Sequence, residues 1–572
     1  MVNKKFIFSL IVAVVCGAFI GHTLFEKFRK EEETVFSEST TLYFLREGVY
    51  DNLEYALSSA NKYDTKIIVK EKAKYYLYLA ISRNEETLDD FKKIYKNNSL
   101  VVESKKINNE SFLTALEQME NLLKKATSNE EKETIEKVIL ANYEELVLDY
   151  ASAGCWEEAL MAAETAIGQN VSGQTMLHYY KSWFLIQLDR KEEALAAIRE
   201  AEQQLPDCCF PNVLEAILAL QSVIGFATET PKALYYLGNL WYDKRQYPEA
   251  ITCWETSMQQ DDAFPTVLRN LSLAYFNKLN RQEEAVTLLE KAFALDMTDA
   301  RILMELDQLY KRLNCSHEDR LAFLKKHKDI AFQRDDLYLE FVTLLNQLGQ
   351  YEEAIRMIDA RKFHPWEGGE GKVPAQYQLA RVELVKQLLA EKKYEEALAL
   401  IEECFIYPHN LGEGKLYGAQ ENDFNYYKAC ALSGLGRKEE AMELFLAASI
   451  GNSQPAAAMY YNDQKPDKIF YQGLALRKLE REEEARGRFN NLISYGEKHL
   501  YDVFKMDYFA VSLPDLQIWE DDMNKKNRIH CNYLMALGHL GLGNNEKAMK
   551  YFNIAAEMDN NHQGVQIHQK MI

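Results

Sequence analysis

Leu348-Gly349-Gln350-Tyr351-Glu352-Glu353-Ala354-Ile355 is the stretch on which the reading of this chain turns. Leu348 closes an apolar helical pattern and Gly349 supplies a turn residue. Tyr-Glu-Glu-Ala then opens a second helix with acidic residues in its first turn. Working outward, the same Ala recurs at the head of a second helix at Ala159, Ala194, Ala250, Ala285, Ala397, Ala441, Ala485 and Ala548. Ahead of it stand large residues at positions 4, 7 and 11 of the first helix. Leu234, Leu237 and Trp241 precede Ala250; Leu268, Leu271 and Tyr275 precede Ala285. A small Ala facing large side chains lets two helices approach closely. Each such pair leaves an apolar face that only the next pair can cover.

These spacings, also shown by Tyr143, Leu146, Tyr150, Ala159, Ala163 and Ala166, resemble the tetratricopeptide repeat. The resemblance implies a mainly α right-handed solenoid over residues 140–572, with a concave groove that takes a protein or peptide partner.

The chain ahead of it is different in kind. Residues 1–148 contain none of the 11 prolines and three of the 25 glycines, Gly17, Gly21 and Gly48. They carry a net charge of −3 out of −20, so the composition shifts near residue 140. Lys4 and Lys5 precede an apolar run from Phe6 to Phe25, the ~20 residues that a helix needs to cross a bilayer. The expectation is a tail and transmembrane helix over 1–25, followed by a linker over 26–40. A cleaved signal peptide is the second choice.

Leu42–Tyr50, Ile67–Val69, Tyr75–Leu79 and Leu100–Val102 read as strands. Asp51–Ala60 and Asn84–Tyr95 read as helices between them. The order is βαββαβ. With Arg46-Glu47-Gly48-Val49-Tyr50 and Tyr76-Leu77-Tyr78-Leu79-Ala80-Ile81-Ser82, residues 41–107 resemble the sporulation-related repeat (SPOR) domain. That resemblance implies binding of peptidoglycan glycan strands on an open sheet face. Period-two alternation puts Leu77 and Leu79 under the helices and Tyr76 and Tyr78 on the open face, so Arg46, Tyr76 and Tyr78 are the candidate glycan residues. The competing reading is a Tyr-rich sheet packed on another helix. Residues 108–139 read as a helical connector, with Phe112, Leu113, Leu116 and Met119 at helical spacing.

Two loops interrupt the repeats, Phe363–Val373 and Tyr407–Leu416. Each contains Pro, three residues, then Gly-Glu-Gly-Lys. With Tyr460-Tyr461-Asn462-Asp463-Gln464 and Tyr508–Leu516, residues 140–572 resemble the helical half of a bacterial family. That family carries a β-sandwich of unknown function ahead of its repeats. Its sandwich is absent here. The resemblance implies a link to carbohydrate chemistry. His364, Trp366, Glu370, Lys372, Glu413 and Lys415 are the candidate ligand residues, with Glu accepting, Lys donating and Trp366 offering a stacking face. The competing reading is a pair of long turns docked on their neighbours.

Other classes fall away. A net charge of −20 does not suit a nucleic-acid binder. Neither Gly-Lys has the earlier Gly or the following Ser or Thr of a phosphate loop. The nine cysteines show no zinc spacing, and no catalytic triad or paired-carboxylate set stands out. The expected protein is therefore a non-enzymatic bacterial scaffold at the cell membrane, single-pass, without a metal or cofactor. Its bulk is expected outside the cytoplasm, although scattered thiols suit a reducing compartment. A carbohydrate-linked binding or auxiliary enzyme is the alternative.

Overall fold

The structure, a computed structural model, describes residues 39–52, 67–71, 74–82 and 100–108 with isolated positions between them, then residues 143–504 and 518–572 apart from 169–172, 207–208, 367 and 458–462. The apolar run 6–25 and nearly all of the connector 108–139 lie outside the described residues. No described helix is long and apolar enough to cross a membrane. The chain divides into two compact units, Met1–Asp262 and Ala263–Ile572.

The first unit holds a four-stranded sheet: β1 (Ser39–Tyr50), β2 (Ile67–Glu71), β3 (Lys74–Ser82) and β4 (Val101–Asn108). The order is β2-β3-β1-β4 with every neighbour antiparallel, as in a split βαβ motif. Tyr55, Ala56 and Ser59 before β2, and Leu88 and Lys92 before β4, are helical. Leu45, Leu77, Leu79, Leu88 and Leu100 form the core under one face. Register shifts on either side of Arg46 bulge β1 against β3.

Helices 143–152, α1 (Trp156–Gly168), α2 (Thr175–Gln187), α3 (Lys191–Gln203), α4 (Leu214–Phe226), α5 (Pro231–Asp243) and α6 (Tyr247–Gln260) complete this unit. In the second unit the first-and-second-helix pairs are α7 (Pro265–Leu279) with α8 (Gln282–Leu295), and α9 (Ala300–Arg312) with α10 (His317–Lys326) and the short α11 (Lys328–Ala331). They continue with α12 (Asp335–Gln347) and α13 (Tyr351–Ala360), then α14 (Lys372–Ala390) and α15 (Tyr394–Glu403). The last pairs are α16 (Asn422–Gly434) with α17 (Lys438–Ser449), α18 (Pro466–Lys478) with α19 (Glu482–His499), and α20 (Met523–Gly541) with α21 (Asn545–Met558), closed by α22 (Gln563–Gln569).

These are tetratricopeptide-like helix hairpins, and the repeated Ala explains them. All nine, from Ala159 to Ala548, are at most 2% exposed. At Gly238 a Cβ would lie 2.4 Å from the Trp254 indole nitrogen, so the first helix must be side-chain-free where the second lays a tryptophan on it. The hairpin turn has its own code. A residue two or, at Asn314, three before the second helix has positive φ at Gly154, Asp189, Arg245, Asn280, Asn314, Gly349, Lys392, Gly436, Glu480 and Gly543. Six of these ten are not glycine. The tight helix approach imposes a left-handed residue even where its Cβ is disfavoured.

Candidate functional site

The two Gly-Glu-Gly-Lys loops meet. Gly371 N donates to Glu413 Oε2 at 2.7 Å, and Phe363 N donates to Asn410 O at 2.8 Å. The Asn410 amide caps the end of α13 by donating to Ile358 O and Arg361 O. Gly412 has φ +75°, and a Cβ there would stand 2.7 Å from Phe363 O. Only glycine allows the second loop to lie this close to the first.

The six candidate ligand residues make separate contacts in these loops. Glu413 is spent on the Gly371 backbone. Lys415 donates to Phe405 O at 3.1 Å and pairs with Glu421. Glu370 accepts from Gly368 N within its own loop. The half-buried Trp366 ring lies where a Cβ of Gly369 would be. Lys372 is exposed at the first position of α14. His364 turns elsewhere: its backbone N and Nδ1 lie 2.9 and 3.2 Å from Asp335 Oδ2. Burial opposes ionisation of Asp335. The His364 N–H and the Arg361 guanidinium nevertheless hold its carboxyl below the usual range. Asp335, Tyr338, Arg361 and His364 line an open cavity of about 470 Å³.

On the sheet, Arg46 pairs in register with Tyr78. Arg46 Nη1 lies 3.1 Å from Glu103 Oε2, Tyr78 donates its hydroxyl to Glu103 Oε1, and the Tyr76 and Tyr78 rings stack with centroids 6.3 Å apart. The three candidate glycan residues are thus brought together. The expectation of two exposed tyrosines is corrected, because Tyr78 is fully buried and Tyr76 half-buried. Tyr78 lies on β3 between β1 and β2, with its hydroxyl satisfied by a carboxylate and its ring against Tyr76. Alternation assigns a side chain to a face but does not say what covers that face.

A third arrangement in the second unit was not anticipated. The non-helical segment Ile518–Asp522, bent at Ile518 and Trp519, lies along α7 and α9. Asn277 Nδ2 donates to Ile518 O at 2.8 Å, and its Oδ1 accepts from Glu520 N at 2.9 Å, so one amide brackets Trp519. The Trp519 indole is 1% exposed, meets the Phe276 ring edge-on at 5.1 Å and donates to Glu305 O at 3.1 Å. The Glu305 carboxylate is itself held by Arg269 and Arg301. Lys278 pairs with Glu520, and Arg312 with Asp521 at 2.5 Å.

One repeat further on, Asn314 makes the same bracket around Asp559. It donates to Met558 O at 3.3 Å and accepts from Asn560 N at 3.2 Å. Gln347 donates to Asn561 O, and Asn561 Oδ1 accepts from Arg320. Arg320 is fully buried and also holds Asp307 and Glu340. Asn277, Arg312 and Gln347 stand 35 residues apart, at or near the ends of successive first helices. That spacing was legible, but the polar positions are silent in a pattern read from apolar ones.

Among the described residues no group of His, Cys, Asp and Glu could hold a metal ion. No family model matches the chain. Several solved structures are similar in part. YrrB, a tetratricopeptide-repeat protein with an unusual peptide-binding site, is 14% identical over 40% of this chain and 90% of its own, with a TM-score of 0.23. A tetratricopeptide repeat protein from Parabacteroides merdae is 15% identical over 53% and 100%, with a TM-score of 0.23. MamA is 12% identical over 32% and 93%, with a TM-score of 0.21.

Proposed function

We propose that this chain is a membrane-anchored interaction scaffold whose repeat helices hold a protein or peptide partner through its main chain. The observation that carries the reading is the Asn277 bracket. A side-chain amide that pairs with a backbone C=O and N–H on both sides of one residue recognises a non-helical main chain whatever its side chains. Full-length protein used as bait, with chemical cross-linking before extraction, tests it. The expected result is one or a few enriched proteins. Their absence, with the bait folded, overturns the reading.

The finer parts of the proposal rest on sequence. The run 6–25 is read as the anchor, so the protein should leave membranes with detergent and not with salt. The bulk is read as extracytoplasmic, which protection from or cleavage by external protease in intact cells decides. Residues 41–107 are read as SPOR-like, with Arg46 and Tyr76 as the glycan contacts and Tyr78 supporting them from beneath. Pelleting with amidase-treated peptidoglycan, lost in Tyr76→Ala, is expected.

The second reading is a carbohydrate-linked binding or auxiliary protein. It is favoured by the joining of the two loops through Glu413 and by the open cavity beside His364, which offers an acid, a guanidinium and an aromatic face. Saturable binding of a saccharide, weakened by Asp335→Asn, would support it.

A further inference from the structure

Resting on the scaffold reading, we propose that the face formed by α7 and α9 is a binding site for a peptide bearing tryptophan followed by acidic residues, and that Ile518–Asp522 occupies it in cis. Three features of the site select a ligand of that chemistry. The pocket of Phe276 and the Glu305 carbonyl takes an indole and satisfies its N–H. The backbone carbonyl of Glu305 accepts the indole N–H, while Arg269 and Arg301 hold its carboxylate separately. Beyond the indole, Lys278 and Arg312 present two cations to the two residues that follow it. Between these side-chain contacts, Asn277 reads only the backbone. The specificity therefore lies in the indole and the two acids, and the segment itself is replaceable.

The occupant has the features of a ligand more than of a helix-packing element. It lies outside the helices up to Asp522, which caps α20, and it is held by a side chain that reaches its main chain. Glu520 lies towards the rim, its side chain 51% exposed, whereas Asp521 is buried against Arg312 with its side chain 8% exposed. A tethered segment acts at an effective concentration on the order of millimolar. A free peptide of micromolar affinity should therefore bind the native chain about a thousandfold more weakly than a chain whose own segment is disabled. A partner that carries the same chemistry at high local concentration would displace the segment and free it.

The test uses the full chain and a fluorescent peptide with the sequence of residues 516–522, followed by polarisation. The double variant Trp519→Ala, Asp521→Ala should bind this peptide, while the native chain should bind it far more weakly. Adding Lys278→Glu and Arg312→Glu should abolish binding. A second variant, Glu520→Lys with Asp521→Lys, keeps the indole and loosens the segment by repulsion, so it serves if the first fails to fold. No binding to either folded variant overturns the proposal. So does equal binding by native chain and variants, or binding that survives the charge reversal at Lys278 and Arg312. A native dimer that the Trp519 variant abolishes would show the segment exchanged between copies and would overturn occupancy in cis. The bait experiment on the native chain is independent: partners captured there while the peptide fails to bind leave the scaffold reading standing and remove only this inference.

Discussion

The side-chain amide of Asn277 spans Trp519 from both sides, with its nitrogen on Ile518 O and its oxygen on Glu520 N. Both bonds are to main chain, so the pairing depends on the backbone conformation of the segment and not on its side chains. Asn277→Ala should leave a backbone N–H and C=O without partners. Loss of a partly buried pair costs ~1–3 kcal/mol. The amides around Trp519 should then exchange with deuterium roughly 5- to 150-fold faster, with helix amides in α7 unchanged. Unaltered exchange at Glu520 would show that the bracket contributes nothing.

Arg320 connects three helices to the C-terminal Asn561, and it is fully buried with Asp307. Arg320→Met should leave the buried Asp307 carboxylate without its cation, while Glu340 keeps Lys311. Breaking a buried pair in this way costs ~3–5 kcal/mol. The thermal midpoint should fall by several degrees. Because Asn561 loses its donor, the 559–563 segment should become protease-sensitive first.

Gly412 is the contact point of the two loops. Gly412→Ala places a Cβ against Phe363 O at a φ that an L-residue rarely adopts. Strain of this kind costs ~1–3 kcal/mol. The Gly371–Glu413 hydrogen bond should break, giving faster exchange at Gly371 N, whereas Gly414→Ala, with open space around it, should leave it intact. Equal effects from both substitutions would count against a docked loop pair.

His568 is buried among Phe470, Tyr471 and Tyr533, and burial lowers its pKa from 6.5 to about 4, with the Lys386 and His562 charges adding and Asp467 opposing. The sign follows from linkage. Between pH 6.5 and 4 the unfolded chain binds a proton that the folded chain refuses, so stability falls as pH drops through that window and levels off below it. A shift of this size corresponds to on the order of 3 kcal/mol. His568→Phe should flatten this part of the melting-midpoint profile between pH 4 and 6.5. An unchanged slope would mean that other groups, such as His562 and His530, carry it.

Tyr78 was expected on an open sheet face and is instead buried with its hydroxyl on Glu103. Tyr78→Phe should weaken the sheet by ~1–3 kcal/mol, because Glu103 keeps Arg46 but loses its phenol donor. Tyr76→Phe, on a half-buried ring, should cost less. The reverse order, read from exchange of the β1 and β3 amides, would return Tyr78 to the role of a surface residue.

The sequence by itself determined the hairpins. Small Ala at one helix position and large side chains at three others can be satisfied only by close helix pairs, and every one of the nine Ala residues is buried as that pattern requires. It also marked the four strands of the N-terminal sheet, because alternation and β-branched runs are local properties, whereas their order β2-β3-β1-β4 came from the fold. Tertiary structure alone decided which polar residues meet. Glu413 reaches Gly371 rather than a ligand because the second loop packs on the first through Gly412. Trp519 reaches Phe276 from more than two hundred residues away, and the Asn277 bracket exists only because the chain returns there. Hydrophobic spacing is written within a helix, where neighbours in sequence are neighbours in space. A hydrogen bond between distant side chains and a returning backbone leaves no such period, and so it is seen only when the chain is folded.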